Sequence, residues 1–198
     1  MSKLGIMGGT FDPIHYGHLL LAEECRQRLA IDRIVFVPTG SPPHKRDRVV
    51  TPAEDRYAMT LLATAGVLEY SVSRTEVDRG YPSHTVDTLR EFIAAGAAPE
   101  DLFFITGLDA ILSITTWVDH ELLPSLCTLV TAARPGYPVE GIDRLPRAIR
   151  ESLRVVEIPQ IAISSTEIRE RARDGRSIRF LVPRLVETYI ESAGLYRD

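Results

Sequence analysis

Short apolar runs alternate with amphipathic stretches along almost the whole chain. The runs are rich in β-branched and aromatic residues, and they predict strands over 3–7, 33–38, 70–77, 101–107, 127–136 and 153–159. The stretches between and after them carry apolar residues at helical spacing, and they predict helical segments over 18–29, 52–66, 83–96, 109–123, 143–152, 165–174 and 183–193. Strands that alternate with helices indicate an α/β fold, a doubly wound parallel sheet with helices on both faces. Ligands of such sheets lie beyond the carboxyl ends of the strands.

The length and composition indicate an ordinary globular protein. The chain has 198 residues, of which 44% are hydrophobic and 25% are charged, and this length suits a single domain with a complete core. We therefore expect one domain over 1–198, with a C-terminal helical portion from about 164–198.

Charge and cysteine content argue against several classes of protein. The net charge is −4 and the pI is about 5.8, whereas a general nucleic-acid binder usually has a basic face. No stretch approaches the roughly 18 apolar residues of a membrane span, and Gly8 and Gly9 interrupt the first apolar run before it could form a signal peptide. Cys25 and Cys127 form no C-x-x-C pair, so neither a disulfide framework nor a zinc ribbon follows. We expect a reduced, cytoplasmic protein that binds neither nucleic acid nor membrane.

The loop after the first predicted strand has an unusual composition. Its sequence, GGTFDPIHYGH over 8–18, holds three glycines, a proline and two histidines where a helix should begin. Gly8 and Gly9 let backbone amides come close to a ligand, and Gly17 leaves room beside the histidines. His15 and His18 are three residues apart and share one side of a helix N-terminus, which already attracts anions. This combination predicts a site for the phosphates of a nucleoside triphosphate.

The same loop allows other interpretations. H-x-x-H could be half of a metal site, although no Cys, Glu or further His lies at ligand spacing, and either histidine could simply be packed or face solvent. The dinucleotide fingerprint G-x-G-x-x-G and the P-loop G-x-x-x-x-G-K-[ST] are both absent, which argues against a dehydrogenase and a P-loop NTPase.

A second motif, ISSTEIR over 163–169, lies near the other end of the chain. Ser164 followed by Glu167 is a capping box, and most such boxes only cap a helix. Here three consecutive hydroxyls and Arg169 fall at one helix N-terminus, an arrangement that suits a polyphosphate. The hydroxyls are those of Ser164, Ser165 and Thr166.

The first motif resembles that of the T/H-x-G-H superfamily of nucleotidyltransferases, in which T-x-x-x-x-H-x-G-H grips ATP. Thr10, His15, Gly17 and His18 occupy the matching positions, and the longer form is most similar to the bacterial nicotinate mononucleotide adenylyltransferases. The resemblance implies a Rossmann-like fold of the nucleotidyltransferase type, and it implies that ISSTEIR binds the triphosphate from the side opposite the histidines. It argues against class I aminoacyl-tRNA synthetases, which have K-M-S-K-S there. The implied ATP-binding residues are Gly8, Gly9, Thr10, Phe11, Gly17, Ser164, Ser165 and Thr166.

A basic loop, PTGSPPHKRDR over 38–48, follows the second predicted strand. It could be a solvated loop whose charges have no ligand, but it is longer than most connections, and its two adjacent prolines would hold the cations in place. The resembled family has a similar P-P-H-K element that contacts phosphate groups. The resemblance therefore implies that His44 binds the mononucleotide phosphate and that Lys45 is catalytic.

Trp117, the only tryptophan, is the candidate platform for a second substrate. A lone tryptophan is more often part of a core, but this one lies among polar residues, where a pyridine ring could stack on its face. In the resembled family this tryptophan stacks on the nicotinate ring, and a threonine of S-Y-T-x-D-T lies near the carboxylate. This chain has SHTVDT over 83–88, so Thr85 matches while His84 replaces the family tyrosine.

Further residues complete the predicted mononucleotide site. Gly107 and Asp109 lie at the end of a predicted strand, and Asp109 could bind ribose hydroxyls or magnesium-bound water, or could cap a helix. Arg134 matches the family's R-P-G element, which borders the nucleotide, but it could equally form a surface ion pair. The implied mononucleotide-binding residues are His44, Thr85, Gly107, Asp109, Trp117 and Arg134.

Both motifs and the resemblance together predict an enzyme of NAD biosynthesis, a nicotinate-nucleotide adenylyltransferase. It would transfer AMP from ATP to nicotinate mononucleotide and release deamido-NAD and pyrophosphate, with catalytic residues His15, His18, Lys45 and Arg169. Mg²⁺ would be carried mainly by the ATP phosphates, because no carboxylate cluster is evident. Alternatives are an adenylyltransferase acting on nicotinamide mononucleotide or phosphopantetheine, and a non-catalytic ATP-binding sensor. The sequence leaves the oligomeric state open, and a homo-oligomer is among the states it allows.

Overall fold

A six-stranded parallel sheet organises the part of the chain that the computed structural model describes, namely residues 2–41, 50–133, 140–159 and 161–197. Its strands are β1 (Leu4–Gly9), β2 (Arg33–Pro38), β3 (Tyr70–Val72), β4 (Leu102–Ile105), β5 (Thr128–Ala133) and β6 (Leu153–Glu157). They lie in the order β3-β2-β1-β4-β5-β6, and every neighbouring pair is parallel. The predicted doubly wound parallel sheet is thereby confirmed.

Helices connect and follow the strands, as the alternating pattern predicts. In the described residues they are α1 (Tyr16–Arg28), α2 (Ala53–Thr64), α3 (Thr85–Ala94), α4 (Leu108–Leu112), α5 (Leu123–Leu126), α6 (Arg147–Ser152), α7 (Ser165–Arg173) and α8 (Arg184–Ser192). α1 begins two residues before the predicted start at 18, so Gly17 is helical and His15 is the N-cap.

The predicted helical segment over 109–123 is interrupted. α4 ends at Leu112, and two short 3₁₀ turns precede α5. Beyond α4 the chain leaves helical geometry at Trp117, whose ψ of 145° is extended, and at Asp119, whose φ of 52° is left-handed, and an α-helix can contain neither conformation. The segment over 143–152 is also shorter than predicted, because Pro146 lacks the N–H group that a continuous helix needs.

All the strands except β2 differ from their predicted bounds, and β3 differs most. β3 ends at Val72 rather than 77, because the chain then turns and the Asp78 N–H donates to the Arg74 carbonyl oxygen, 2.9 Å away. The predicted end of the strand over 127–136 lies outside the described residues from 134 onward.

Helices cover both faces of the sheet, because successive strand residues point to opposite sides. In β1, Met7 belongs to one buried cluster and Ile6 to the other. The Met7 cluster receives side chains from α1, α2, α7 and α8, including Leu21, Met59, Ile168 and Val186. The Ile6 cluster receives side chains from α3, α4, α5 and α6, including Leu89, Ile111, Leu123 and Ile149. The two cysteines are buried in these clusters as free thiols.

The strand order reverses between β1 and β4, which pair with each other at the centre of the sheet. Beyond the carboxyl ends of two such strands the connecting loops diverge, and a crevice forms there. The loop over 10–15 leaves β1 at this point, and the Thr39 N–H after β2 donates to the Gly9 carbonyl oxygen at 2.9 Å. Among the described residues, none of the helices is sufficiently long and apolar to cross a membrane.

Candidate active site

The glycine-rich loop begins at the central crevice, and aromatic rings crowd its first two residues. A Cβ atom at Gly8 would lie 2.9 Å from the Phe104 ring, and one at Gly9 would lie 2.6 Å from the Phe11 ring. Both distances are shorter than packed atoms tolerate, so any side chain would force a shift. The glycines are therefore needed for packing.

The two histidines of the loop lie against each other at the start of α1. Their rings are stacked with centroids 3.7 Å apart, and the backbone N–H of His15 donates to Nδ1 of the His18 ring at 3.2 Å. Because Nδ1 of His18 accepts this bond, its Nε2 carries the proton in the neutral ring. The helix N-terminus and the imidazole rings thus come together, as the three-residue spacing predicts.

His15 is a neutral group in this environment. Its side chain is buried, and its Nδ1 atom has no hydrogen-bond partner among the described residues. Burial lowers the pKa of His15 to about 4, because the charged ring would lose its hydration. At neutral pH it can therefore offer a hydrogen bond to an anion, but it carries no positive charge before one binds.

Phe11 occupies the core rather than the surface of the loop. It is 2% exposed, and its ring meets the His18 ring edge-on with centroids 5.1 Å apart. Its φ of 48° is unusual for a residue with a side chain. The predicted contact of Phe11 with ATP would therefore have to come from its backbone, while its ring supports His18.

The distal motif lies directly against this loop. Ser165 Oγ donates to the Pro13 carbonyl oxygen at 2.9 Å, and Arg169 Nη1 donates to the Asp12 carbonyl oxygen at 2.7 Å. A Cβ atom at Gly17 would lie 3.8 Å from the Ile163 carbonyl oxygen. The structure therefore brings the two sequence motifs together, with the N-termini of α1 and α7 side by side.

The hydroxyls of the distal motif do not form one uniform set. Ser164 Oγ accepts the Glu167 N–H at 3.1 Å and caps α7, whereas Thr166 Oγ1 accepts from Arg169 Nη2 at 3.1 Å. Ser165 contacts the first loop instead. Each hydroxyl therefore has a protein partner of its own, and the binding of a polyphosphate by the three stays a prediction.

A cavity of about 580 Å³ opens beside the glycine-rich loop. Of the predicted site residues, it is lined by Gly8, Gly9, Thr10, Thr85, Asp109 and Trp117. Trp117 is half-buried and meets the Phe104 ring edge-on at 6.1 Å, so it is both part of the core boundary and a wall of the cavity. Asp109 lies exposed in the first turn of α4, whose N-cap is Gly107.

Three predicted site residues lie outside the described residues: His44, Lys45 and Arg134. Among the residues that are described, no group of three or more His, Cys, Asp or Glu side chains is placed to hold a metal ion.

Several residues of this region carry no obvious sequence signal. Arg56 is 1% exposed and donates to three backbone carbonyl oxygens around the crevice. Glu76 lines the cavity, accepts the Thr88 hydroxyl at 2.7 Å, and has a pKa raised by burial. A signal for Arg56 does exist, since it is spaced three residues from the buried Met59 and so falls on the apolar face of its helix.

Comparison with known proteins gives one family over most of the chain. The model of the cytidylyltransferase-like family matches residues 6–171. A protein of Moorella thermoacetica named probable nicotinate-nucleotide adenylyltransferase is 49% identical over 98% of this chain and 92% of its own length. A protein of Thermus thermophilus with the same name is 52% identical over 98% of this chain and 100% of its own.

A solved structure with low sequence identity shares the fold. It is a Plasmodium falciparum nicotinic acid mononucleotide adenylyltransferase complexed with NaAD, to which this chain is 20% identical. The TM-score is 0.78, and the match covers 99% of this chain and 98% of the other.

Proposed function

Because the chain belongs to the cytidylyltransferase-like family and, within it, to the nicotinate-nucleotide adenylyltransferases, we propose that it transfers AMP from ATP to nicotinate mononucleotide. The products are deamido-NAD and pyrophosphate, and the reaction is a step of NAD biosynthesis. The observation that carries this proposal is the central crevice. There the stacked histidines, the N-terminus of α7 and the cavity beside Trp117 surround the carboxyl ends of β1 and β4.

The cavity is the proposed site for the mononucleotide. An aromatic wall at Trp117 suits a flat pyridine ring, and Thr85 in the first turn of α3 lines the same space. Glu76 is a carboxyl group in this wall, and burial raises its pKa. The proposed contact of Asp109 is with ribose hydroxyls or with water on the magnesium ion.

The cleft between α1 and α7 is the proposed site for the ATP phosphates. Two helix N-termini point their dipoles there, and His18 offers the Nε2 proton. The Arg169 guanidinium lies at the same place, because it donates to the Asp12 carbonyl oxygen, and it supplies a positive charge there. His15 contributes as a neutral donor. The roles of His44, Lys45 and Arg134 stay predictions.

The proposed chemistry needs no nucleophile from the protein. An oxygen of the mononucleotide 5′-phosphate forms a bond to the α-phosphorus of ATP, and the bond to the pyrophosphate oxygen breaks with its electron pair. Holding both phosphates in line can contribute roughly 7 kcal/mol or more to the lowering of the barrier. The helix N-termini and the charged side chains oppose the negative charge that gathers on the phosphoryl oxygens.

Magnesium is proposed to arrive as part of the substrate, bound to the ATP phosphates, because the known preference of this ion is for phosphate and water oxygens. When bound, it neutralises charge on the phosphate chain. We also propose that the reaction takes place in the cytoplasm, since both cysteines are free thiols of the kind that reducing compartments maintain.

The decisive experiment measures pyrophosphate release from ATP with three acceptors: nicotinate mononucleotide, nicotinamide mononucleotide and phosphopantetheine. We expect the highest kcat/KM with nicotinate mononucleotide. A higher value with another acceptor would assign the enzyme to that substrate. Tight ATP binding without turnover on any of the three would instead favour a nucleotide sensor.

A further inference from the structure

A buried guanidinium joins the loops that border the crevice. Arg56 lies in the first turn of α2, and its side chain is directed into the protein, with 1% of the residue exposed. Nη1 donates to the Thr10 carbonyl oxygen at 2.8 Å, Nη2 to that of Gly40 at 2.9 Å, and Nε to that of Thr51 at 2.8 Å. These carbonyls belong to the loop after β1 and to the two ends of the connection between β2 and α2.

We propose that Arg56 is a positioning residue for adenylyl transfer, which holds the loop after β1 and the loop after β2 at a fixed separation around the substrates. The inference rests on the proposed function. Thr10 lines the cavity, and so does Thr39, the neighbour of Gly40. Both walls that Arg56 holds are therefore walls of the proposed mononucleotide site.

The geometry uses the whole guanidinium group. It is planar and presents its donors as a rigid fork, so three carbonyl oxygens can be held in fixed directions at once. A lysine ammonium is a single point at the end of a flexible chain and cannot reach three oxygens spread around a plane. Among the basic side chains, only arginine can therefore hold these three carbonyl oxygens at once.

A role in packing alone does not account for a charged side chain here. Burial lowers the pKa of Arg56, which means that the charged form is costly at this position. In the described part of the chain its hydrogen-bond partners are carbonyl oxygens rather than carboxylates, although Asp12 contributes a favourable charge nearby. One turn further along α2, the apolar Met59 fills an equally buried position. An apolar side chain could occupy such a place at lower cost.

Gly40 gives a second way to disturb the same contact. A Cβ atom there would collide with the backbone carbonyl of Glu76, which lines the cavity. Gly40→Ala therefore displaces the Gly40 carbonyl from Arg56 while leaving the guanidinium in place. This variant keeps the proposal testable if substitutions of Arg56 itself prevent folding.

The test compares Arg56→Lys, Arg56→Gln and Gly40→Ala with Met59→Ala, a buried control on the same helix. Each variant is assayed at a temperature where circular dichroism shows it to be folded. We expect kcat to fall about 100-fold in the first three, because displaced walls misalign the reacting phosphates. Met59→Ala should lower the unfolding midpoint and leave kcat within about threefold of the original. Folded Arg56 or Gly40 variants with unchanged kcat would overturn the proposal.

ATP affinity, measured by isothermal titration calorimetry, separates this inference from the proposed function. If the original protein turns over no nicotinate mononucleotide, the proposed function fails, and the affinities alone decide on Arg56. An ATP dissociation constant raised about tenfold or more in Arg56→Lys, but not in Met59→Ala, supports positioning of the loop after β1. Equal dissociation constants in both variants reject it.

Discussion

The hydroxyl of Tyr196 donates a hydrogen bond of 2.9 Å to the Oδ1 atom of Asp12, so the last residues of the chain are attached to the glycine-rich loop. Burial raises the pKa of Tyr196 above its usual range, and the hydroxyl therefore remains a donor throughout the working pH range. Asp12 also offers its carbonyl oxygen to Arg169. The backbone that carries His15 is thus fixed from the C-terminus and from α7 at the same time.

Tyr196→Phe should weaken catalysis by loosening this loop. The substitution keeps the ring but removes one donor to a buried carboxylate, which we expect to lower the free energy of unfolding by about 1–3 kcal/mol. A loosened loop stabilises the transition state less well, and a loss of about 1.4 kcal/mol lowers the rate tenfold. We therefore expect kcat to fall about tenfold. Chemical denaturation and steady-state kinetics measure the two effects.

Tyr189→Phe is the matched control for that experiment. The Tyr189 hydroxyl also donates to a carboxylate, that of Asp55, at 2.7 Å, but it joins α8 to α2 away from the glycine-rich loop. Because Tyr189 and Asp55 are only partly buried, Tyr189→Phe should be destabilised somewhat less than Tyr196→Phe, and it should keep its kcat. If both variants kept full activity, the attachment of Tyr196 to Asp12 would have no part in catalysis.

The burial of His15 predicts a specific dependence of stability on pH. Its pKa is about 4 in the folded protein and about 6.5 when the ring is exposed, so the unfolded chain binds a proton first as the pH falls. The folded state therefore loses stability between about pH 6.5 and 4, with an upper limit of roughly 3.5 kcal/mol at about 1.4 kcal/mol for each pKa unit.

His15→Gln removes this titration. Urea unfolding of both proteins at pH 7, 5.5 and 4 gives the comparison, in which the other acid-sensitive groups cancel. We expect the original protein to lose more stability on acidification than the variant does. Parallel curves for the two proteins would show that burial does not suppress protonation of His15.

Periodicity and turn residues predict most of the fold because they report local preferences. The alternation of apolar runs with amphipathic stretches gives the six strands and the helices that follow them, and it gives the α/β class. It does not reveal that the helical segment over 109–123 is interrupted after Leu112, nor that Asp119 is left-handed, since aspartate is compatible with many backbone conformations. Nor does it give the order of strands, which depends on packing between distant segments.

Only part of the candidate site can be predicted from the sequence, for a related reason. Motif residues are recognisable because several unusual residue types occur close together, as in His15 and His18. The supporting residues, by contrast, act across long sequence separations. Tyr196 looks ordinary in its own neighbourhood, and the helical spacing of Arg56 predicts only that it is buried. The folded chain alone shows which carbonyl or carboxylate each of them meets.

Arg169→Ala should abolish most of the activity. The side chain donates to Asp12 and lies at the N-terminus of α7 next to the histidines, where we propose that it opposes the charge of the phosphate chain. Loss of one such group usually lowers kcat by about 100-fold to 1,000-fold. We expect a fall in this range, together with a higher KM for ATP, in steady-state pyrophosphate assays.

Arg171→Ala is the control on the same helix. Arg171 pairs with Glu167 one turn away at 2.7 Å, a contact within α7 that is worth about 0.2–0.5 kcal/mol. It should leave kcat and KM unchanged. Equal losses of kcat in the two variants would mean that the total positive charge of α7 determines the activity, and that Arg169 makes no specific contact with the phosphates.

Trp117 should report on the mononucleotide directly, because it is the only tryptophan of the chain and lines the cavity. Binding of nicotinate mononucleotide should change its fluorescence by placing a pyridine ring against the indole, whereas ATP alone should change it little. Trp117→Ala should raise KM for nicotinate mononucleotide about tenfold, since stacking and the buried area of the ring are both lost. The KM of Trp117→Ala for ATP should not change.

Val118→Ala is the control variant. It truncates the next side chain of the same cavity wall without removing an aromatic face, and we expect less than about a threefold change in the KM for either substrate. Unchanged fluorescence at saturating mononucleotide, with an unchanged KM in Trp117→Ala, would place the pyridine ring elsewhere.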